Sequence, residues 1–309
     1  MSKPGILVIS HPGFSGCLQD IGARTVAFAV RVITFRNPQW RGRGLWERAR
    51  LVKKYDIVHF YWAKIRIVEL LVYRWVSRTR VINHFMGTDL YHALHRSARK
   101  RLELRLCSRI AVSAVSGYLL QEELGQLGIA SEVVPILSRK VVKREYVYPS
   151  ERSAIAYLPS ARRDFFQHRL LLQLALDYPA VSFTWFPYEP DAGEELPGNV
   201  IVRGYIDEDE VMPEMEKHRV LLRLPVHDGG APQTLIEALS IGRWAIWTFA
   251  QPYVCTVNGY TELKTRFGEL IDHSQPNREG EAYIHRYYTR AKVDRGFHNL
   301  YTRTLYAGT

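Results

Sequence analysis

Cysteine is scarce in this chain. Its 309 residues include three, Cys17, Cys107 and Cys255, far apart and without a C-x-x-C spacing. No disulfide framework or thiolate zinc site is expected, and a reducing compartment suits the sequence. Long apolar runs are missing too: no stretch approaches about 18 uninterrupted apolar residues, so no spanning helix is expected. The opening MSKPGILVIS passes from one lysine straight into a strand-like run, unlike a signal peptide, which makes the expected location cytoplasmic. Acidic residues are outnumbered, 31 against 42 Lys and Arg, for a formal net charge of +11. That excess points to an anionic partner: nucleic acid, phospholipid or a phosphorylated substrate. The sequence also lacks short-period repeats, low-complexity tracts and any compact carboxylate or histidine cluster. No metal is expected.

What is present is alternation. A length prior of roughly 150 residues per domain suggests two domains, and 47% hydrophobic content allows a full core in each. Short Val- and Ile-rich runs at 5–10, 26–35, 56–62, 80–85, 109–115 and 131–137 read as buried strands. Helical patterns at 64–78, 90–106 and 116–127 fall between several of them. The pattern weakens across SRKVVKREYVYPSERS (138–153), which reads as a linker. It resumes with strands at 154–159, 181–187, 199–206, 219–225 and 243–248, helices at 164–177, 208–217 and 232–241, and a last helical stretch at 281–305. Such alternation predicts parallel sheets covered on both faces, in two α/β domains joined near residue 140.

In parallel α/β sheets, ligands gather beyond the carboxyl ends of the strands. The segment HDGGAPQTLIEALSIGRWAIWT, from His227 to Thr248, follows such an end. Gly229 and Gly230 let the backbone approach a ligand, and the helix that follows offers unpaired N–H groups and a positive dipole end. Together with Ala231, Pro232, Gln233 and Thr234 they form a seat for a pyrophosphate, with Pro232 near the helix start. Glu237 lies about one turn into the helix, placed to accept from ribose hydroxyls. The plainer alternative is a glycine turn, a capped helix and a solvated glutamate.

RVLLRLPVHDGGAPQTLIEALSIGRWAIWT resembles the donor-binding segment of GT-B glycosyltransferases, in particular the retaining GT4-like group. The resemblance implies two Rossmann-like domains with parallel sheets facing across a cleft. It implies an N-terminal acceptor-binding domain at 1–140 and a nucleotide-sugar-binding domain at 141–285. A helical segment at 286–309 would pack back on the first. The family pattern has two glutamates separated by seven residues. The second maps onto Glu237, implied to hold the ribose. The first falls on Gly229, where no carboxylate is available, and neighbouring Asp228 replaces it only if the loop shifts. DIVHFYW with VINHFMGTDL, RIAVSAVSGYLLQEELGQLG and NVIVRGYIDEDEVMPEMEK agree in order, so the resemblance covers residues 5 to about 250. By the same likeness the backbone at Tyr205–Ile206 would touch the base. Arg162 or Arg163, in YLPSARRDFFQHR, matches the family's phosphate-binding arginine, and Gln167, His168 or Arg169 stands where it has a lysine. A guanidinium fork suits phosphate oxygens and would let the reaction proceed without a metal.

In the first domain, SHPGFSG after the first strand resembles the family's glycine loop. Its His11, Gly13, Phe14, Ser15 and Gly16 are candidates to approach acceptor or diphosphate. His84, or the Met86 position, aligns with a family histidine that contacts the donor sugar, and Asp89 with Thr88 is placed to cap a helix. RNPQWRGRGLWERARLVKK (36–54) and RWVSRTR (74–80) interleave tryptophan with cations, which suits a membrane interface or a phosphate-rich acceptor. The expectation is a hexosyltransferase using a UDP- or GDP-linked sugar, with no cofactor. Its acceptor would be lipid-linked or polyanionic, with peripheral contact at the inner face of an anionic membrane. Two other readings stand beside it: a noncatalytic GT-B-like binding protein, and a nucleic-acid-binding protein resting on charge alone.

Overall fold

The structure, a computed structural model, describes residues 3–11, 15–61, 66–96, 98–136, 145–230 and 232–306. The chain divides into two compact units. The first comprises Met1–Leu137, Gly229–Ala231 and Arg290–Thr309, and the second comprises Ser138–Asp228 and Pro232–Thr289.

The first unit runs β1 (Gly5–Ser10), α1 (Ser15–Arg24), β2 (Ala29–Thr34), α2 (Pro38–Arg41), α3 (Leu45–Val52), β3 (Ile57–Tyr61) and α4 (Ile67–Leu71). A π-helical turn (Val72–Val76) extends α4, and β4 (Arg80–Phe85), α5 (Thr88–Arg96), α6 (Ala98–Ser108), β5 (Val112–Val115), α7 (Tyr118–Gln126) and β6 (Glu132–Val133) follow. Its sheet has the order β2-β1-β3-β4-β5-β6, with every pairing parallel. All five residues of β3, His59 among them, are buried, as in a strand covered on both faces.

In the second unit, β7 (Ser153–Tyr157), a 3-10 turn (Ser160–Arg162), α8 (His168–Asp177), β8 (Ser182–Phe186), β9 (Val200–Val202), α9 (Glu208–Glu216) and β10 (Val220–Arg223) come first. They are followed by α10 (Gln233–Ser240), β11 (Trp244–Trp247), β12 (Cys255–Thr256), α11 (Tyr260–Ile271) and α12 (Arg278–Tyr287). The order is β12-β11-β10-β7-β8-β9, again all parallel. The core packs Leu171 and Leu174 of α8 and Phe267 of α11 with Phe183, Trp185 and Leu222 from the strands. Each such burial stabilises by about 1.5–3 kcal/mol. The last helix, α13 (Arg290–Tyr306), groups with the first unit. There Val293, Phe297, Leu300 and Tyr301 are buried, and Asp294 pairs with Arg24 at 2.9 Å.

Several boundaries differ from the sequence expectation, for local reasons. The helix expected at 164–177 starts only at His168, because Gln167 takes a left-handed backbone (φ 51°) and its side chain donates to the Leu224 carbonyl. The single helix expected at 90–106 is two, α5 and α6. The Asp89 carboxylate does more than cap: it accepts from the amides of Met86, Gly87 and Leu90, binding the strand-to-helix turn together. The stretch expected at 281–305 is also two helices. The earlier one begins at Arg278, where the Asn277 side chain accepts from the Gly280 amide. Residues 138–144 of the expected linker lie outside the described residues. The rest is strapped to the second unit, since Arg243 sits between the rings of Tyr146 and Tyr148, at 5.0 and 5.4 Å, and donates to the Val147 carbonyl. Arg219 likewise donates to the carbonyls of Pro149 and Ser150.

Candidate functional site

The strand order of the second unit places a topological switch point between β7 and β10. These strands are neighbours, yet the chain leaves β7 toward β8 on one side and β10 toward β11 on the other. Loops leaving adjacent strands at such a point splay apart and open a crevice beyond their carboxyl ends. The loop after β7 carries Arg162 and Arg163, and the loop after β10 carries His227 and Asp228 and feeds α10. Two segments singled out from sequence for phosphate binding, about 65 residues apart in the chain, therefore share one edge of one sheet.

The arginines differ in their surroundings. Arg162 is exposed, with its guanidinium over the Phe165 ring at 4.2 Å, and no ion pair involves it among the described residues. Arg163 is held by the loop after β8, with Asp191 at 2.5 Å and Glu194 at 3.4 Å. Glu194 joins that loop to α8: it accepts from the Tyr188 hydroxyl at 2.6 Å, and His168 Nε2 lies 3.2 Å from the Glu194 carboxylate. His168 also stacks on Tyr188, with ring centroids 5.5 Å apart. Burial lowers the His168 pKa against the pull of Glu194. Burial would raise the Glu194 carboxyl, but the Tyr188 hydroxyl, the Asp191 amide and nearby cations outweigh it and bring the group below its ordinary value. His168 is thus a neutral tether of this network, and most of it is closed to solvent.

Asp228 is engaged in the same unit. Its carboxylate accepts from Arg223 Nε at 2.7 Å and Trp247 Nε1 at 3.3 Å. Arg223 also donates to Thr234 Oγ1 and lies over Tyr157 at 4.6 Å. A carboxylate bound this way is unavailable to replace the glutamate missing at Gly229. Pro232 is the N-cap of α10, one residue before the first turn, so Gln233 and Thr234 open the helix. Glu237 lies on α10 with 4% of its surface exposed. The solvated glutamate of the plainer reading is thereby corrected: this carboxylate is inside the protein, where ions are retained only when matched. Tyr205 is 81% exposed in the loop after β9, and Ile206 beside it is half-buried.

The remaining candidates lie in the first unit. Gly229 and Gly230 group with it, and Ser116 Oγ donates to the Gly229 carbonyl at 2.8 Å. A Cβ at Gly229 would collide with the Met86 carbonyl, so no side chain fits there as the loop is seated. This accounts for the glycine where the family pattern has glutamate. Gly13, Phe14 and Ala231 lie outside the described residues. His11 is exposed just past β1, while Ser15 and Gly16 open α1 as helix rather than loop.

His84 departs furthest from expectation. It is wholly buried, with its ring 4.3 Å from Tyr61, 5.3 Å from His59 and 6.2 Å from Phe297 of α13. His84 Nδ1 and His59 Nε2 are 3.2 Å apart, and His59 Nδ1 lies 3.1 Å from the Tyr301 hydroxyl. Burial pushes the His84 pKa down to about 3 and drives His59 well below its usual value. As placed, neither imidazole has a face open to a ligand.

Sequence reasoning missed the acidic loop at 189–195 and the buried Arg223. Both left a signal: EPDAGEE follows a strand and opposes a basic loop, and RVLLRLP carries a cation inside a buried run. Among the described residues no group of three or more His, Cys, Asp or Glu is placed to hold a metal ion, and no helix is long and apolar enough to cross a membrane.

No family model matches the chain, and no curated protein matches it in sequence. Its structure is similar to that of Anabaena Alr3699/HepE in complex with UDP and glucose, with a TM-score of 0.71 at 14% identity over 97% of this chain and 99% of that one. It is similar to S. aureus TarM, solved as a variant with fondaparinux, alpha-GlcNAc-glycerol and UDP. There the TM-score is 0.60 at 12% identity, over 83% of this chain and 58% of that one. A Listeria monocytogenes protein described as a UDP-N-acetylglucosamine 2-epimerase gives 0.55 at 11%, over 98% of each chain. At these identities the likeness shows the fold, which is GT-B: two Rossmann-like α/β units with parallel sheets.

Proposed function

We propose that this chain is a GT4-like glycosyltransferase that moves a hexose from a UDP- or GDP-linked sugar to an acceptor hydroxyl, with retention and without a metal. The observation that carries the reading is the switch point of the second unit. There an exposed arginine from the loop after β7 and the amide-bearing start of α10 leave adjacent strands. Transfer leaves two negative phosphates on the departing nucleotide, and fixed cations and helix amides stabilise that charge where it develops. Arg162 supplies the available guanidinium and Arg163 a second once Asp191 yields. Glu237 is assigned to the ribose and the Tyr205–Ile206 backbone to the base. The first unit takes the acceptor. His84 is not assigned to the sugar, because its ring is walled in by His59, Tyr61 and Phe297. Two of the solved structures similar in fold hold UDP, which supports a nucleotide diphosphate as the ligand to test first.

A thermal-shift screen of UDP- and GDP-sugars, with and without divalent cation, tests the proposal. A true donor stabilises by an amount that grows with the logarithm of its concentration relative to its dissociation constant, and a screen in which no nucleotide sugar shifts the transition contradicts it. A noncatalytic binding protein is the second reading, favoured by the absence of a carboxylate at Gly229 and by Asp228 being held by Arg223. Radiolabelled donor separates the two, since an enzyme releases nucleotide diphosphate slowly even without acceptor and a binding protein returns the donor intact.

A further inference from the structure

The described tryptophans of the first unit divide by exposure. Trp40 is buried at 5% exposure between Phe60 and Tyr73, while Trp46 on α3 is 61% exposed and Trp75 on the π-helical turn 73% exposed. Val68 and Val76 beside Trp75 are exposed by 56% and 52%. The two segments lie side by side: Arg48 of α3 pairs with Glu69 of α4 at 3.1 Å, and Ser77 Oγ donates to the Ala49 carbonyl. Trp46, Arg50 and Lys53 recur at i, i+4 and i+7, and all three are exposed. Between residues 41 and 78, eight Arg and Lys side chains are exposed among the described residues, against two exposed carboxylates, Glu47 and Asp56. Both carboxylates are tied to backbone amides.

We infer that this face, formed by α3 and by α4 with its π-helical turn, docks on an anionic lipid bilayer, with Trp46 and Trp75 as interfacial anchors and the surrounding cations on lipid headgroups. Indole rings settle at the level of the headgroups, long cationic side chains reach out to phosphate, and anionic lipid attracts each added cation. The exposed valines choose between polyanions. A nucleic acid offers stacking faces to tryptophan but little to an aliphatic side chain, whereas the acyl boundary of a bilayer takes both. The inference fits an acceptor carried on lipid but does not depend on the transferase reading.

The test is co-sedimentation of the full chain with vesicles of phosphatidylcholine containing 30% phosphatidylglycerol (about one lipid in three anionic), against phosphatidylcholine alone, near physiological salt. Binding to the anionic vesicles only is expected. Trp46→Ser with Trp75→Ser, and separately Arg50→Glu with Lys53→Glu and Arg74→Glu, should each weaken it by about tenfold or more. Nucleotide-sugar thermal shifts should stay unchanged, which keeps this result separate from the fate of the transferase proposal. No preference for anionic vesicles, or binding indifferent to both variants, overturns the inference, as does tight binding to a single-stranded oligonucleotide without binding to vesicles. Should the variants fail to fold, brominated lipid decides with the native chain: quenching of tryptophan fluorescence supports the anchors, and its absence contradicts them.

Discussion

Arg223 and Asp228 meet as ions at the carboxyl edge of the second sheet, whereas His59 and His84 stack as neutral rings inside the first. The histidines are wholly buried and the ion pair largely so, and they resolve the cost of burying polarity in opposite ways. The ion pair adds bonds from Trp247 and to Thr234, so every charge is matched where it stands. The imidazoles are kept uncharged by burial and by each other, beneath α13. The contrast separates an edge that holds charge in matched pairs from an interior that excludes it, and the phosphate seat is proposed at that same edge, at the switch point.

The largest expected effect breaks the ionic half. Arg223→Ala leaves Asp228, largely enclosed, without its cation, and about 1–3 kcal/mol of stability should be lost. Arg223→Ala with Asp228→Asn should recover part of it. Urea unfolding of the three proteins measures both numbers, and a single variant as stable as the native chain would dissolve the pair's importance.

Acid breaks the neutral half. His84 titrates near pH 3 in the folded protein and about 6.5 unfolded, and His59 is shifted the same way. Below pH 6.5 the unfolded chain therefore binds protons that the fold refuses, and stability falls as pH falls through that window toward 3. His84 contributes a slope of about 1.4 kcal/mol per pH unit, about 2 kcal/mol by pH 5, and His59 adds to the loss in the same direction. Denaturant midpoints from pH 7 to 5 should show this fall, and His84→Gln should make it shallower, leaving the His59 part. A native profile already flat there would mean that the imidazoles accept protons inside the fold.

Glu237→Ala should weaken nucleotide binding by roughly ten- to a hundredfold, the worth of a charged hydrogen-bond acceptor; unchanged affinity in calorimetry removes Glu237 from the site. Arg162→Ala with Arg163→Ala should lower turnover by about ten- to a hundredfold while the melting temperature stays within a few degrees. A collapse of the melting temperature instead would make both arginines structural. The smallest effect sharpens the comparison within the charged edge. Asp191→Ala removes one of the two carboxylates on the half-exposed Arg163 and should tighten UDP only about two- to fivefold, since exposed ion pairs are weak.

Much of the sheet framework was legible because short, mostly apolar runs such as GILVIS and AIAYLP have only one comfortable place, inside a parallel sheet covered on both faces. The switch point followed less directly, because strand order depends on connections that no local pattern records. What could not be read were partnerships over distance. Tyr301 meets His59 across 242 residues, and nothing in RVINHF or DIVHFYW announces that a C-terminal helix will seal the histidines. Arg223 and Asp228 are only five residues apart, yet their pairing depends on the chain doubling back beside the indole of Trp247. Helix α11 went unread as well, since YTELKTRFGELI spaces its apolar residues among charges.

The central claim is that a nucleotide diphosphate lies at the switch point of the second unit, and a crystal structure of the full chain soaked with UDP tests it most directly. The account predicts phosphate oxygens within hydrogen-bonding distance of the Arg162 guanidinium and of amides at the start of α10. Density for the nucleotide elsewhere on the protein, or none at saturating UDP, would contradict it.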